Sequence, residues 1–291
     1  MKIFSLSLGA SLLFLARASG QVSTEVVLDQ EQFLPNESLP ASVRVSNQSG
    51  RTLELGGDDE WLSFSVESRD NFVVRKTGEV PVAGKFSLES SKVATKRLDL
   101  APYFSLTKPG RYKVTAMVRI KGWDQAFSSK PKFFEVVTGT KLWEQEFGMP
   151  LAASAPNAAP EVRKYMLQQA NYLKELRLYV RLTDATDSKT FRVLNVGPMV
   201  SVSRPEPQLD TSNNLHLLWQ TGARVYTYVV ISADGELLVR RMYDMLNNSR
   251  PRLRSDASGK FFISGGERRV TRDDIPPEKP ASLNENKPPK S

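Results

Sequence analysis

The chain has no cysteine and only one histidine among its 291 residues. Without cysteine it can form no disulfide, no thiolate nucleophile and no cysteine–zinc site. A Ser-His-acid triad would have to use the single histidine, His216, and the sequence has no Gly-x-Ser-x-Gly elbow to supply the serine. No glycine-rich phosphate loop follows a strand. We therefore expect no catalytic set, no metal site and no cofactor.

Long apolar runs are also absent, apart from the first twenty residues. Lys2 precedes an apolar stretch over residues 3–15, and the small residues of 16–20 follow it. This order is typical of a secretory signal peptide, and the apolar stretch is shorter than the ~20 residues that span a bilayer. The sequence predicts cleavage near Ala18 or Gly20 and a periplasmic or extracellular protein. With no cysteine to carry a lipid and no second apolar run, we expect neither a lipoprotein nor an integral membrane span.

The charge excess is mild. The formal net charge of +8 falls to +6 when Lys2 and Arg17 leave with residues 1–20. Nucleic-acid binders concentrate lysine and arginine in dense stripes, and this sequence has none, so we expect no nucleic-acid partner. The remaining chain is longer than a typical domain of about 150 residues, which favours two domains.

Residues 21–143 alternate between apolar and polar side chains with a period of two. Over residues 111–121, for example, the apolar residues from Tyr112 to Ile120 face one way and the charged ones the other. This period predicts half-buried antiparallel strands, and about seven of them fit an Ig-like β-sandwich. The turn Lys108-Pro109-Gly110 followed by Tyr112 resembles the tyrosine corner of Ig-like domains. The resemblance implies that the Tyr112 hydroxyl bonds back to the backbone of the preceding loop.

Two segments of unusual composition divide the rest of the chain. Residues 144–160 are rich in alanine and proline and predict an exposed linker. Residues 276–291 are rich in proline and charge and predict a disordered tail. Between them, residues 161–275 predict a compact antiparallel β domain. Residues 161–176 fit either a helix or a strand, and the sequence leaves that choice open.

The second domain contains an internal repeat of 46 residues. Ser203-Arg204-Pro205 and Ser249-Arg250-Pro251 are each followed by an aspartate, a polar turn, an apolar strand and glycine. Such units resemble β-propeller blades, including those of sialidase-type propellers, although the aromatic turn motif of the latter is missing. Because a closed propeller needs at least four blades, we expect an open or oligomer-completed blade array or, as the chain length favours, a compact sandwich of blade-like sheets.

Arginine is the most abundant charged residue of this domain. Residues 161–275 carry fourteen arginines and four lysines against thirteen acids. Guanidinium groups suit carboxylates, phosphates and sugar hydroxyls, and they stack on aromatic rings. They also suit structural pairs with acids such as Asp210, Asp234 and Asp256. The candidate ligand-binding residues are Arg204, His216, Trp219, Arg224, Tyr226, Arg250 and Arg252.

The predicted fold is therefore mainly β: an N-terminal Ig-like β-sandwich followed by a compact antiparallel domain of blade-like repeats. This arrangement resembles secreted bacterial proteins that join an Ig-like domain to a propeller-blade-like β-repeat domain, and the resemblance implies no particular activity. Our hypothesis is a non-enzymatic binding module of the bacterial envelope, with a protein or glycan partner and oligomerisation possible. The alternatives are an accessory or degenerate propeller-type glycoside hydrolase and a structural subunit that completes a partner's β-sheet array.

Overall fold

A computed structural model describes residues 22–70, 72–149 and 161–277. The predicted signal peptide, most of the linker and most of the tail lie outside these residues. The expectation of a mainly β protein is confirmed, because the described chain consists of strands joined by turns, with a single 3₁₀ turn at Ala101–Tyr103. No helix of the described residues is long and apolar enough to cross a membrane.

The strands are numbered in chain order. Up to residue 136 they are β1 (Val22–Leu28), β2 (Gln32–Phe33), β3 (Pro40–Asn47), β4 (Leu53–Leu55), β5 (Leu62–Ser68), β6 (Phe86–Leu88), β7 (Lys92–Asp99), β8 (Gly110–Arg119), β9 (Ala126–Ser128) and β10 (Lys132–Val136). After it they are β11 (Thr140–Gly148), β12 (Val162–Tyr172), β13 (Glu175–Asp184), β14 (Thr190–Pro198), β15 (Glu206–Leu209), β16 (Leu215–Gln220), β17 (Val225–Ile231), β18 (Leu237–Asp244), β19 (Arg252–Ser255), β20 (Phe261–Ser264) and β21 (Glu267–Arg269).

The chain divides into two compact units. Of the described residues, unit 1 comprises those from 22 to 29 together with Pro40–Tyr103 and Lys113–Phe133. Unit 2 comprises Gln30–Leu39, Phe104–Tyr112 and the described residues from Phe134 to 277. The sequence predicts a single domain over residues 21–143, whereas the tertiary contacts group several segments of that range with unit 2. Local patterning cannot show this, because it carries no information about which distant segments pack together.

Unit 1 follows the predicted period of two closely. Strands β1, β3 and β7 form an antiparallel sheet in that order. Strand β3 buries Ala41, Val43 and Val45 and leaves Arg44 exposed between them. Apolar side chains of strands therefore enter the core at every second position, as a pleated sheet requires.

Unit 2 contains two larger antiparallel sheets that pack on each other. One has the order β11-β12-β13-β14 and the other β15-β16-β17-β18-β21. Their facing side chains form one buried apolar core, which includes Tyr165, Val180 and Trp219. The opposite face of the five-stranded sheet is covered by a separate hairpin of β19 and β20. Strands β16 and β17 are thus buried on both faces, which explains their continuous apolar sequence.

Two sequence predictions for unit 2 are decided by strands β11 and β12. Residues 144–148, predicted as the start of the linker, form the second half of β11, which pairs with β12 from Thr140↔Gln169 to Gly148↔Val162. The linker prediction was wrong there because β11 is an edge strand with mostly exposed polar side chains, and only Phe147 is buried. The segment left open at 161–176 is a strand over Val162–Tyr172. Residues 150–160 of the predicted linker lie outside the described residues.

Candidate functional site

One cleft of unit 2 lies between the five-stranded sheet and the β19–β20 hairpin. It has a volume of about 760 Å³, which is within the range of small-molecule sites. Side chains of β16, β17 and β18 form its floor, and the hairpin forms its roof. The lining residues used below are Asp210, His216, Tyr228, Arg241, Tyr243, Lys260 and Phe261.

His216 is held from both ring nitrogens in this cleft. Its Nε2 lies 3.1 Å from Asp210 Oδ2, and its Nδ1 lies 2.7 Å from the Tyr228 hydroxyl. An ionised carboxylate only accepts hydrogen bonds, so in the neutral imidazole Nε2–H donates to Asp210. Nδ1 then accepts from the Tyr228 O–H. The three side chains form a continuous hydrogen-bonded chain along the cleft floor.

Strand register brings these three residues together. His216 pairs with Val230 across β16 and β17, so Tyr228 is its diagonal neighbour on the same face. Asp210 begins the turn that joins β15 to β16, and its backbone N–H donates to the Asn214 carbonyl at 3.1 Å. The turn therefore places the carboxylate beside the first cleft-facing side chain of β16.

The Asp210 carboxylate is saturated by hydrogen bonds. Oδ1 accepts from the backbone amides of Ser212 and Asn214, and Oδ2 accepts from the Asn214 side chain and from His216. Burial raises the pKa of this carboxyl, but the hydrogen bonds from Asn214, His216 and Ser212 outweigh burial and hold the pKa below its usual value. Asp210 is therefore an anion that orients His216 and closes its own turn.

The pKa of Tyr228 is shifted upward, unlike that of Asp210. Burial raises the pKa of its phenol to about 12, and the nearby Tyr243 and Asp210 add to this effect while Arg241 opposes it. The hydroxyl therefore stays protonated over the physiological range and acts as a hydrogen-bonding group.

The roof of the cleft supplies an aromatic ring and a cation. The Phe261 ring lies 4.4 Å from the His216 ring, measured between centroids, with a 32° tilt. Lys260 precedes Phe261 at the end of the hairpin turn, and its side chain lines the cleft. Arg241 lines the floor of the cleft from β18. The cleft thus combines an apolar platform with cationic and hydroxyl groups.

The two copies of the sequence repeat both reach this cleft. Asp210 Oδ1 accepts from the amides two and four residues later, and Asp256 Oδ1 does the same in the second copy. The hairpins also share one register, with Leu209↔Leu215 in the first and Ser255↔Phe261 in the second. The first hairpin is the edge of the five-stranded sheet, whereas the second forms its own two-stranded sheet.

Four of the residues named from the sequence lie on this face of the sheet. His216 lines the cleft, and Tyr226 is buried in the neighbouring apolar cluster. The Arg250 guanidinium stands 5.4 Å from the centre of the Tyr226 ring, and both Arg250 and Arg252 pair with Glu206, at 3.4 and 3.9 Å. These arginines therefore tie the hairpin to β15.

The other three named residues are elsewhere. Trp219 is 1% exposed in the core between the two sheets, and its indole donates to the Pro198 carbonyl at 2.9 Å. It faces away from His216 because the two positions are an odd number of residues apart on one strand. Arg224 donates to the carbonyls of Met245 and Asn247. Arg204 lines a separate groove with Trp143 and Val202.

Most of the cleft has no signature in the sequence. The repeat marks Asp210 only as a turn residue or a structural partner for arginine, and no motif points to Arg241, Tyr243, Lys260 or Phe261. Period-two alternation places Tyr228 on one face with Tyr226, but only the pairing of β16 with β17 brings His216 to that face.

The described residues contain no ready-made metal site. Among residues 22–70, 72–149 and 161–277, no group of three or more His, Asp or Glu side chains is arranged to hold a metal ion.

Comparison with known proteins identifies no family. No family model matches the chain, and no curated protein matches it. The crystal structure of Spo0M, a sporulation control protein from Bacillus subtilis, is similar at 11% sequence identity over 59% of this chain and 83% of that chain. Its TM-score of 0.31 is too low to support an argument about fold or function.

Proposed function

We propose that the protein is a secreted, non-enzymatic binding module of the bacterial envelope that holds a glycan in the cleft beneath the β19–β20 hairpin. In this proposal residues 1–20 export the chain and are removed. The N-terminal region is an Ig-like spacer or docking unit, and the blade-like C-terminal region carries the ligand.

The composition of the cleft carries the proposal. Sugars present an apolar ring face beside a rim of hydroxyls, and they suit sites that pair an aromatic platform with planar polar groups. Phe261 supplies the platform, while Tyr228, Arg241 and Lys260 supply hydrogen-bonding groups around it. The Asp210 carboxylate is engaged by its own turn and by His216, which favours a positioning role for it.

The test is binding of the mature chain to a glycan and peptidoglycan array. We expect Phe261→Ala to weaken a detected interaction by roughly tenfold, the loss of one aromatic contact. Phe133→Ala, an exposed phenylalanine outside the cleft, is the control. Equal binding by both variants would place the ligand outside the cleft.

The alternatives predict other results with the same protein. A propeller-type hydrolase would turn over chromogenic glycosides. A subunit that completes a partner's sheet would change mass with concentration in light scattering. A protein partner at the cleft would bind peptides but no glycan, and Phe261→Ala would weaken that binding instead.

A further inference from the structure

We infer that the ligand of the cleft carries a carboxylate, as acidic sugars do, and that protonation of His216 strengthens its capture. This inference rests on the proposed function and names the ligand class for the same site. It is carried by the placement of charge around the cleft and by the hydrogen-bond chain on its floor.

The charge at the cleft favours an anion. Lys260 on the roof and Arg241 on the floor present cationic groups from opposite walls. A guanidinium and an ammonium are the donors that bind carboxylates most strongly. Asp210, the one carboxylate among the lining residues, already accepts four hydrogen bonds through its two oxygens.

The hydrogen-bond chain makes the direction of the Tyr228 hydroxyl depend on the protonation of His216. While His216 is neutral, the Tyr228 hydroxyl donates its proton to Nδ1. When His216 gains a proton, Nδ1–H becomes the donor and the Tyr228 oxygen the acceptor. The phenolic proton must then turn away from the ring, and it becomes available to a carboxylate in the cleft. One proton taken from solvent thus adds a positive charge and redirects a hydroxyl.

Three groups near His216 keep their protonation state between pH 5 and 8. Tyr228 stays neutral, because burial raises the pKa of its phenol to about 12. Hydrogen bonds keep the pKa values of Asp210 and Asp256 below the usual range, so both stay anionic. Tyr243 completes the floor. Histidine is the side chain whose charge changes in this interval.

The experiment compares acidic oligosaccharides with their carboxyl-reduced forms. Calorimetry with the mature chain would use oligomers of galacturonate, mannuronate and hyaluronan, each beside its reduced partner, at pH 5.5 and 7.5. At pH 5.5 we expect at least one acidic form to bind about tenfold more tightly than its partner, from one charge-assisted contact. At pH 7.5 this preference should fall by roughly fivefold.

Three variants locate the effect. Lys260→Met should weaken the binding of the acidic sugar by about tenfold and leave the binding of the carboxyl-reduced sugar unchanged. Lys174→Met removes the same charge from an exposed position outside the cleft, and it should change the binding of neither sugar. His216→Gln should abolish the difference between the two pH values while the preference for acid persists.

Each contrary result has a distinct meaning. Equal binding of acidic and reduced forms would overturn the inference and leave the proposed function standing. An acidic preference that survives Lys260→Met would also overturn it, because the carboxylate would lie elsewhere. Absence of binding to every sugar, neutral or acidic, would overturn the proposed function as well. If the binding of His216→Gln still depended on pH, the inferred role of His216 protonation would be overturned.

Discussion

The imidazole of His216 is fixed in its plane by two hydrogen bonds and by the Phe261 ring. A histidine held at both nitrogens by Asp210 and Tyr228 has a defined tautomer, so its proton has one defined position. The consequence at the residue scale is that a single protonation changes which atom of the cleft donates.

The raised pKa of Tyr228 predicts a loss of stability in alkali. The folded pKa of about 12 lies above the ordinary value near 10, so the stabilising contribution is complete below pH 10 and is lost as the pH rises toward 12. Over that interval the wild-type free energy of unfolding should fall more steeply than that of Tyr228→Phe, by up to about 1.4 kcal/mol per pH unit. Urea unfolding at pH 9, 10 and 11 measures both slopes. Equal slopes would contradict the prediction.

The Tyr112 hydroxyl makes the hydrogen bond that the sequence predicts. It donates to the Lys108 carbonyl at 2.7 Å, and the ring stacks on Phe134. Tyr112→Phe removes this hydrogen bond and should lower the free energy of unfolding, measured in urea, by about 1 kcal/mol. Tyr103→Phe is the matched control, since the Tyr103 hydroxyl makes no hydrogen bond to the described residues. Similar losses in the two variants would show that the Tyr112 bond adds nothing.

At the scale of elements, the β19–β20 hairpin depends on the glycines that turn the chain. Gly259 and Gly266 both have left-handed backbones, with φ of +80° and +68°. A side chain at Gly259 would meet open space, whereas one at Gly266 would lie 2.5 Å from Pro251 Cγ and 2.7 Å from the Asp244 carbonyl oxygen. The first position therefore needs glycine for its backbone conformation alone, and the second also for space.

This contrast predicts two different costs. Gly259→Ala should lower the free energy of unfolding by about 1 kcal/mol, from the left-handed conformation only. Gly266→Ala should cost at least about 2 kcal/mol more, because backbone and proline atoms must move. Thermal unfolding of the two variants compares them directly. A smaller loss for Gly266→Ala than for Gly259→Ala would contradict the assigned close contacts.

Strands with a long apolar stretch were predictable, whereas the second half of the edge strand β11 was not. The strands within 176–182, 215–220 and 225–231 follow from their apolar sequence, because burial selects those residues locally. Residues 144–148 of β11 resemble a linker instead, because an edge strand buries little and its continuation is rich in alanine and proline.

At the scale of the whole molecule, the sequence predicts export. Expression of the full chain in a bacterium should give a periplasmic or secreted product whose first residue lies near position 19 or 21, since signal peptidase cuts after small residues. Mass spectrometry of the purified product measures its N-terminus. Replacement of Leu12 and Leu13 by arginine should block export by interrupting the apolar region. A product that keeps Met1 and stays in the cytoplasm would contradict the prediction.

The sequence by itself determined the β class, the main strands and the Tyr112 hydrogen bond, because each depends on side chains close together along the chain. It grouped His216 and Trp219 in one candidate site, whereas their odd spacing on one strand puts them on opposite faces of the sheet. Only the tertiary structure decided that Asp210, His216 and Tyr228 share a cleft, and that the second repeat copy covers it. Those contacts depend on strand register and on the packing of a hairpin over a sheet, and both are set by the apolar area that distant segments bury together.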